Sequence, residues 1–149
     1  MCSRCLKHEG PARTGPLRLA RGWRGWLLAR HVARQLAGRR LAFVELREQR
    51  PGGTFGKSDV PPVSPSFRRL YDGPLVLNND ITPEMAAEIV ESGKADAVAF
   101  GRPFIANPDL PLRIKDGHPL ATEDYKLWYT NGTEGYLDYP TWEQAQAAA

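Results

Sequence analysis

The stretch GPLVLNNDITPEMAAEIVESGKADAVAFGRPF, Gly73 to Phe104, sets two short apolar runs on either side of a helical pattern. The first run, GPLVLNND (Gly73 to Asp80), ends on turn-forming residues, and the second is ADAVAF, Ala95 to Phe100. Between them Thr82 is suited to cap a helix, because its hydroxyl can accept from an amide that has no carbonyl within the helix. Pro83 fits the first helical position, Glu84 complements the helix dipole and Gly93 marks the stop. Met85, Ala86, Ile89 and Val90 recur at helical spacing and form the apolar face. Strand, helix and strand in this order make a βαβ unit with parallel strands.

Upstream, WLLARHVARQLAGR (Trp26 to Arg39) places Leu28, Val32 and Leu36 four apart with Ala29 and Ala33 beside them, which predicts an amphipathic helix with arginines outward. LAFVEL, Leu41 to Leu46, predicts a buried strand. REQRPGGTFGKSDVPPVSPSF is rich in Gly, Pro and Ser and reads as a long loop, with a helical turn near Phe67 to Tyr71. Downstream, NPDLPLRIKDG predicts a short helix opened by Asn107 and Pro108 and ended by Gly117. His118 reads as an exposed turn residue, and an aromatic-rich segment and an Ala/Gln helix close the chain. Three strands with little alternation imply a parallel sheet covered on both faces. A Rossmann half-domain and part of a (β/α)8 barrel both fit that count.

The 149 residues, 42% hydrophobic with four Trp, suffice for one domain with a core. No apolar run approaches the roughly 18 residues of a membrane span, and MCSRCLKHEG lacks the apolar region of a signal peptide. A soluble cytoplasmic protein that does not engage a membrane is expected. The net charge of +3 hides an asymmetry: residues 1–50 carry twelve basic and three acidic side chains, residues 51–149 eight and fourteen. The basic end would attract anionic surfaces or nucleic acid weakly, although Arg24, Arg30 and Arg34 more simply form the solvated face of a helix. Cys2, Cys5 and His8 have metal-ligand spacing. A structural zinc site needs four ligands, and His31 is the nearest fourth, so reduced thiols and no metal are expected.

In parallel α/β folds ligands bind beyond the carboxyl ends of the strands. AFGRPF ends the last strand and LNND the one before it. A glycine there admits close approach of a phosphate, and an arginine supplies a charged fork to hold it. Glu45, at the end of the first strand, faces the same side, where a surface salt bridge is the simpler expectation.

The spacing of the whole segment Gly73 to Ile114, followed by WYTNGTEGYLDYP and preceded by VARQLAGRRLAFVELRE, resembles the C-terminal part of the Old Yellow Enzyme family, the FMN-dependent ene-reductases. The likeness runs from about His31 to Trp142, and ADAVAFGRPFIANPDL and EGYLDYP carry most of its specificity. It implies α/β architecture: the C-terminal portion of a (β/α)8 TIM barrel, about three parallel strands with helices, truncated. It also implies FMN as cofactor, NAD(P)H as reductant and transfer of the flavin hydride to an activated alkene. Gly101 and Arg102 match the family's phosphate clamp. Asn78, Asn79 and Asp80 match a turn, usually glycine-rich, whose backbone reaches the same phosphate; a carboxylate at Asp80 repels phosphate unless it points away. Tyr129, with Trp128 beside it, matches an aromatic residue at the flavin ring edge.

The family's substrate-anchoring His-His or His-Asn pair and its proton-donating tyrosine lie earlier in the barrel and have no match here, so no catalytic residue is assigned. A small α,β-unsaturated substrate is expected only if the missing half of the barrel is supplied. Residues 31–149 are expected to hold the FMN-binding portion. Residues 1–30, rich in Arg, Gly, Pro and Trp, fit nothing in the family. A truncated or frameshifted, non-catalytic remnant is the alternative expectation, and a weak anionic-surface or nucleic-acid binder a further one.

Overall fold

A computed structural model of the chain describes residues 22–50, 53, 56, 58, 60–128 and 131–148. Cys2, Cys5, His8 and the basic residues before position 22 lie outside the described residues, and so does Tyr129. The expected βαβ unit is present: β2 (Leu75–Asn78), α3 (Pro83–Glu91) and β3 (Ala97–Ala99). It is preceded by α1 (Gly22–Leu36), β1 (Val44–Arg47) and α2 (Ser64–Arg68), and followed by α4 (Arg102–Ala106), α5 (Leu110–Asp116) and α6 (Trp142–Ala147). The strands form one parallel sheet in the order β1-β2-β3, with Val44 opposite Leu75 and Leu77 opposite Val98.

The two faces of this sheet differ. Leu75 and Leu77 are buried, and Val44, Leu46 and Val98 pack beside them against Phe67, Tyr71, Ile81, Ile89 and Ala95. The other face carries Glu45, Val76 and Ala97 in one row and Arg47, Asn78 and Ala99 in the next. Burial therefore alternates along β1 and β2, which corrects the expectation of strands covered on both faces. Helices cover one face, and Glu45 and Arg47 place charge on the other.

α3 forms as its caps predict: Thr82 Oγ1 accepts from the Met85 amide at 3.3 Å, and Gly93 turns left-handed (φ 69°) just beyond the last turn. α1 departs from expectation in two ways. It begins earlier and ends at Leu36, where Gly38 (φ 75°) takes a left-handed conformation. Its buried position is Ala33, while Leu28 is 63% exposed and Val32 is also exposed. A small alanine lets α1 sit close against the α2 layer; of the leucine row only Leu36 packs against the core, while Leu28 and Val32 are turned away.

α2 begins before the expected turn because its start is capped from afar: Glu48 Oε1 accepts from the amides of Val63 (2.6 Å) and Ser64 (2.8 Å). At the opposite end of the sheet, Asp96 Oδ2 accepts from Arg68 (2.8 Å) and from the Leu75 amide (2.7 Å), pinning α2 to the start of β2.

Asn107 does not open α5. It is fully buried, donates to the carbonyls of Pro103 (2.8 Å) and Ala121 (3.1 Å), and accepts from the Ala121 amide (2.7 Å). Its side chain thus spans the α4 and 121 backbones. α5 consequently starts at Leu110, later than expected, and a separate short helix, α4, precedes it. Among the described residues no helix is long and apolar enough to cross a membrane, and no cluster of His, Cys, Asp and Glu has the make-up of a metal site.

Candidate functional site

The carboxyl ends of all three strands open onto one cavity of about 610 Å³. β1 contributes Glu45 and Arg47, the β2–α3 turn contributes Asn78 to Ile81, and the end of β3 contributes Ala99 to Arg102. Five of the six residues singled out from the sequence, Asn78, Asn79, Asp80, Gly101 and Arg102, therefore lie together. The sixth, Tyr129, is outside the described residues.

The β2–α3 turn has an unusual backbone. Asn79 (φ 93°) and Asp80 (φ 50°) both adopt positive φ, which L-residues other than Asn and Asp seldom tolerate. A glycine-rich turn is expected at such positions, and here short polar side chains stand in its place. Buried Asn79 donates to the Glu48 carbonyl at 2.9 Å and to Asp80 Oδ2 at 3.1 Å. The turn is thereby tied to the end of β1.

Asp80 does not point away from the cavity. Its Oδ1 accepts from Arg102 Nη2, an ion pair whose side chains are 16% and 24% exposed. Its Oδ2 lies so close to Gly53 that a Cβ there would meet it at 2.8 Å. Arg102 is also covered by the Trp128 ring, whose centroid is 5.4 Å from the guanidinium carbon. Trp128 Nε1 is buried and has no hydrogen-bond partner among the described residues. Glu45 accepts from Asn78 Nδ2 at 2.6 Å, so it is part of the cavity wall rather than of a distant surface pair.

Gly101 stands at the cavity edge, and among the described residues a Cβ built on it would meet nothing within 4 Å. Packing against the described residues does not call for glycine here. What a side chain would occupy is the open space of the cavity mouth.

The segment bearing Trp128 is held by α5. Buried Arg113 donates from Nε to Asp109 Oδ1 (2.7 Å), from Nη1 to the Pro119 carbonyl (3.2 Å) and from Nη2 to the Pro140 carbonyl (3.0 Å). Asp109 Oδ2 accepts from the Trp142 amide at 2.7 Å. Burial pushes the Asp109 carboxyl up, but the Trp142 amide and the Arg113 guanidinium together outweigh it and hold it below its usual range. His118 stacks on the Trp142 ring, centroids 4.6 Å apart, and is half-buried instead of exposed.

Sequence reasoning missed Arg47 and Glu123 in the cavity wall. Arg47 was within reach of it: two residues beyond Glu45, it must share that strand face. Glu123 carries no local signal, because the fold of the tail brings it there.

The model of the NADH:flavin oxidoreductase / NADH oxidase family matches residues 25–121. A probable flavin mononucleotide-dependent alkene reductase of Leishmania infantum is 40% identical over 113 residues, which are 76% of this chain and 30% of that protein. Enoate reductase 1 of Kluyveromyces lactis is 35% identical over 137 residues, covering 82% of this chain and 32% of its own length. Among solved structures, the old yellow enzyme homologue of Zymomonas mobilis superimposes with a TM-score of 0.69 at 45% identity, over 78% of this chain and 32% of that one. Morphinone reductase gives 0.71 at 34% identity, over 80% and 32%. The chain thus spans about a third of the length of the relatives it matches.

Proposed function

Because the chain belongs to the NADH:flavin oxidoreductase / NADH oxidase family, the old yellow enzymes, we propose that the cavity beyond its strand ends receives the phosphate of FMN. The observation that carries this reading is Gly101: a glycine that packing does not require, beside an arginine, at the mouth of a cavity at the carboxyl ends of parallel strands. The residues fit a phosphate. Arg102 presents a guanidinium fork, Gly101 leaves room for close approach, and the Asn79–Asp80 turn brings backbone to the same wall. Within a complete barrel, bound FMN would accept hydride from NAD(P)H and deliver it to an activated alkene in the cytoplasm.

The chain's own residues bind and orient. Arg102 and Gly101 fix the phosphate, the turn Asn78 to Asp80 closes its side, and Tyr129, outside the described residues, is assigned to the flavin ring edge. Residues 31–149 carry this site, and the arginine-rich segment 1–30 takes no part in it. No described residue is proposed to anchor or protonate an alkene. A (β/α)8 barrel takes about 250 residues, and reduction of a small α,β-unsaturated substrate is assigned to a complete barrel. This chain alone is proposed to be non-catalytic.

Flavin fluorescence tests the proposal. The purified chain should quench FMN more strongly than riboflavin, which lacks the phosphate. Gly101→Ala should melt at the parent temperature yet bind FMN at least tenfold more weakly. Equal binding of FMN and riboflavin by the parent would refute the phosphate assignment. Enone-dependent NAD(P)H oxidation by this chain alone would refute the non-catalytic reading.

A further inference from the structure

Resting on the reading of the cavity as a phosphate site, we propose that Asp80 determines its charge specificity by acting as a built-in competitor for Arg102. The two side chains already form an ion pair, both mostly shielded from water. An incoming phosphate therefore does not meet an uncommitted cation: it has to share Arg102 with a carboxylate or displace it.

Asp80 is held where it competes. Asn79 Nδ2 bonds its second oxygen at 3.1 Å, Gly53 backs it closely, and the Trp128 ring covers Arg102 from another side. Neither partner can swing away without breaking a neighbouring contact. The charges around the cavity reinforce the effect. Glu45 and Arg47 face it from β1, Asp80 and Arg102 from the ends of β2 and β3, and Glu123 from the tail. Three carboxylates thus oppose two guanidiniums. At separations of a few ångströms and low local dielectric, like charges on a phosphate and Asp80 repel more strongly than in water. The site consequently discriminates by ligand charge, and it binds a dianion less tightly than the same clamp would with a neutral residue at position 80.

The test uses the full 149-residue chain with FMN and riboflavin as probes, each titrated into the parent, Asp80→Asn and Asp80→Gly. Both substitutions should tighten FMN binding tenfold or more and leave riboflavin binding within twofold of the parent. Asp80→Gly serves as the second variant because glycine accepts φ 50° without strain, so folding survives even if the amide is poorly accommodated. FMN binding that is unchanged or weaker in the folded variants overturns the proposal. In that case Asp80 is a positioning partner of Arg102 and not its competitor. If the parent prefers FMN to riboflavin but neither variant gains, only the role of Asp80 fails. If no variant prefers FMN, the phosphate reading fails and takes this proposal with it.

Discussion

Replacing Arg113 by Met tests whether one buried cation holds the C-terminal segment against α5. Methionine keeps most of the stem's apolar contact and removes the guanidinium. The side chains of Arg113 and Asp109 are only 4% and 12% exposed, so solvent screening discounts their pairing little. Removing one member of such a pair leaves the other charge buried and costs about 3–5 kcal/mol. The carbonyls of Pro119 and Pro140 also lose their donors. They regain water once the tail loosens, so their loss does not add in full. A total of about 3–4 kcal/mol follows, a large part of the roughly 5–15 kcal/mol that holds a domain together. Urea denaturation followed by tryptophan fluorescence measures the loss, and limited proteolysis locates it between residues 118 and 148. Because Trp128 reaches Arg102 from this segment, FMN quenching should fall as well. A stability change below about 1 kcal/mol, the range of surface substitutions, would refute the idea that Arg113 holds the segment.

Two further outcomes follow from the same contacts. At Asn79, Ala should cost about 2–3 kcal/mol, because it keeps the left-handed strain and loses two hydrogen bonds, whereas Gly loses the bonds but relieves the strain and should cost about 1 kcal/mol or less; an equilibrium denaturation series that ranks Ala above Gly would contradict this. The lowered carboxyl of Asp109 contributes stability that is present above its ordinary value near 3.8 and is lost as pH falls through the folded value, so the acid limb of a stability–pH curve should flatten in Asp109→Asn; an unchanged limb would show that Asp109 is not the group responsible.

Short-range signals carried the parts of the molecule that local physics decides. Thr82 and Pro83 announced α3 because a cap needs only neighbours three residues away. Gly101 and Arg102 announced the cavity because a strand's carboxyl end is itself a local event. The contacts that escaped are long-range. Glu48 caps α2 from fifteen residues upstream, Asn107 bonds backbone fourteen residues downstream, and Asp80 meets Arg102 across twenty-two. No periodicity encodes such pairings, since each depends on how separate elements stack. The buried face of α1 escaped for a different reason: alanine and leucine rows both have helical spacing, and only packing chooses between them.

The all-parallel sheet has a consequence for anyone wishing to rebuild this chain. A parallel strand cannot be added by a tight hairpin, because its connection must cross a dozen or more residues back to the starting edge. Either flank of the β1-β2-β3 sheet therefore accepts a further parallel strand only as a whole strand-plus-helix module. Natural splice points for grafting this piece onto other barrel segments are consequently spaced by module, at the connections opposite the cavity. A chimera cut there would inherit the cavity at the strand ends intact.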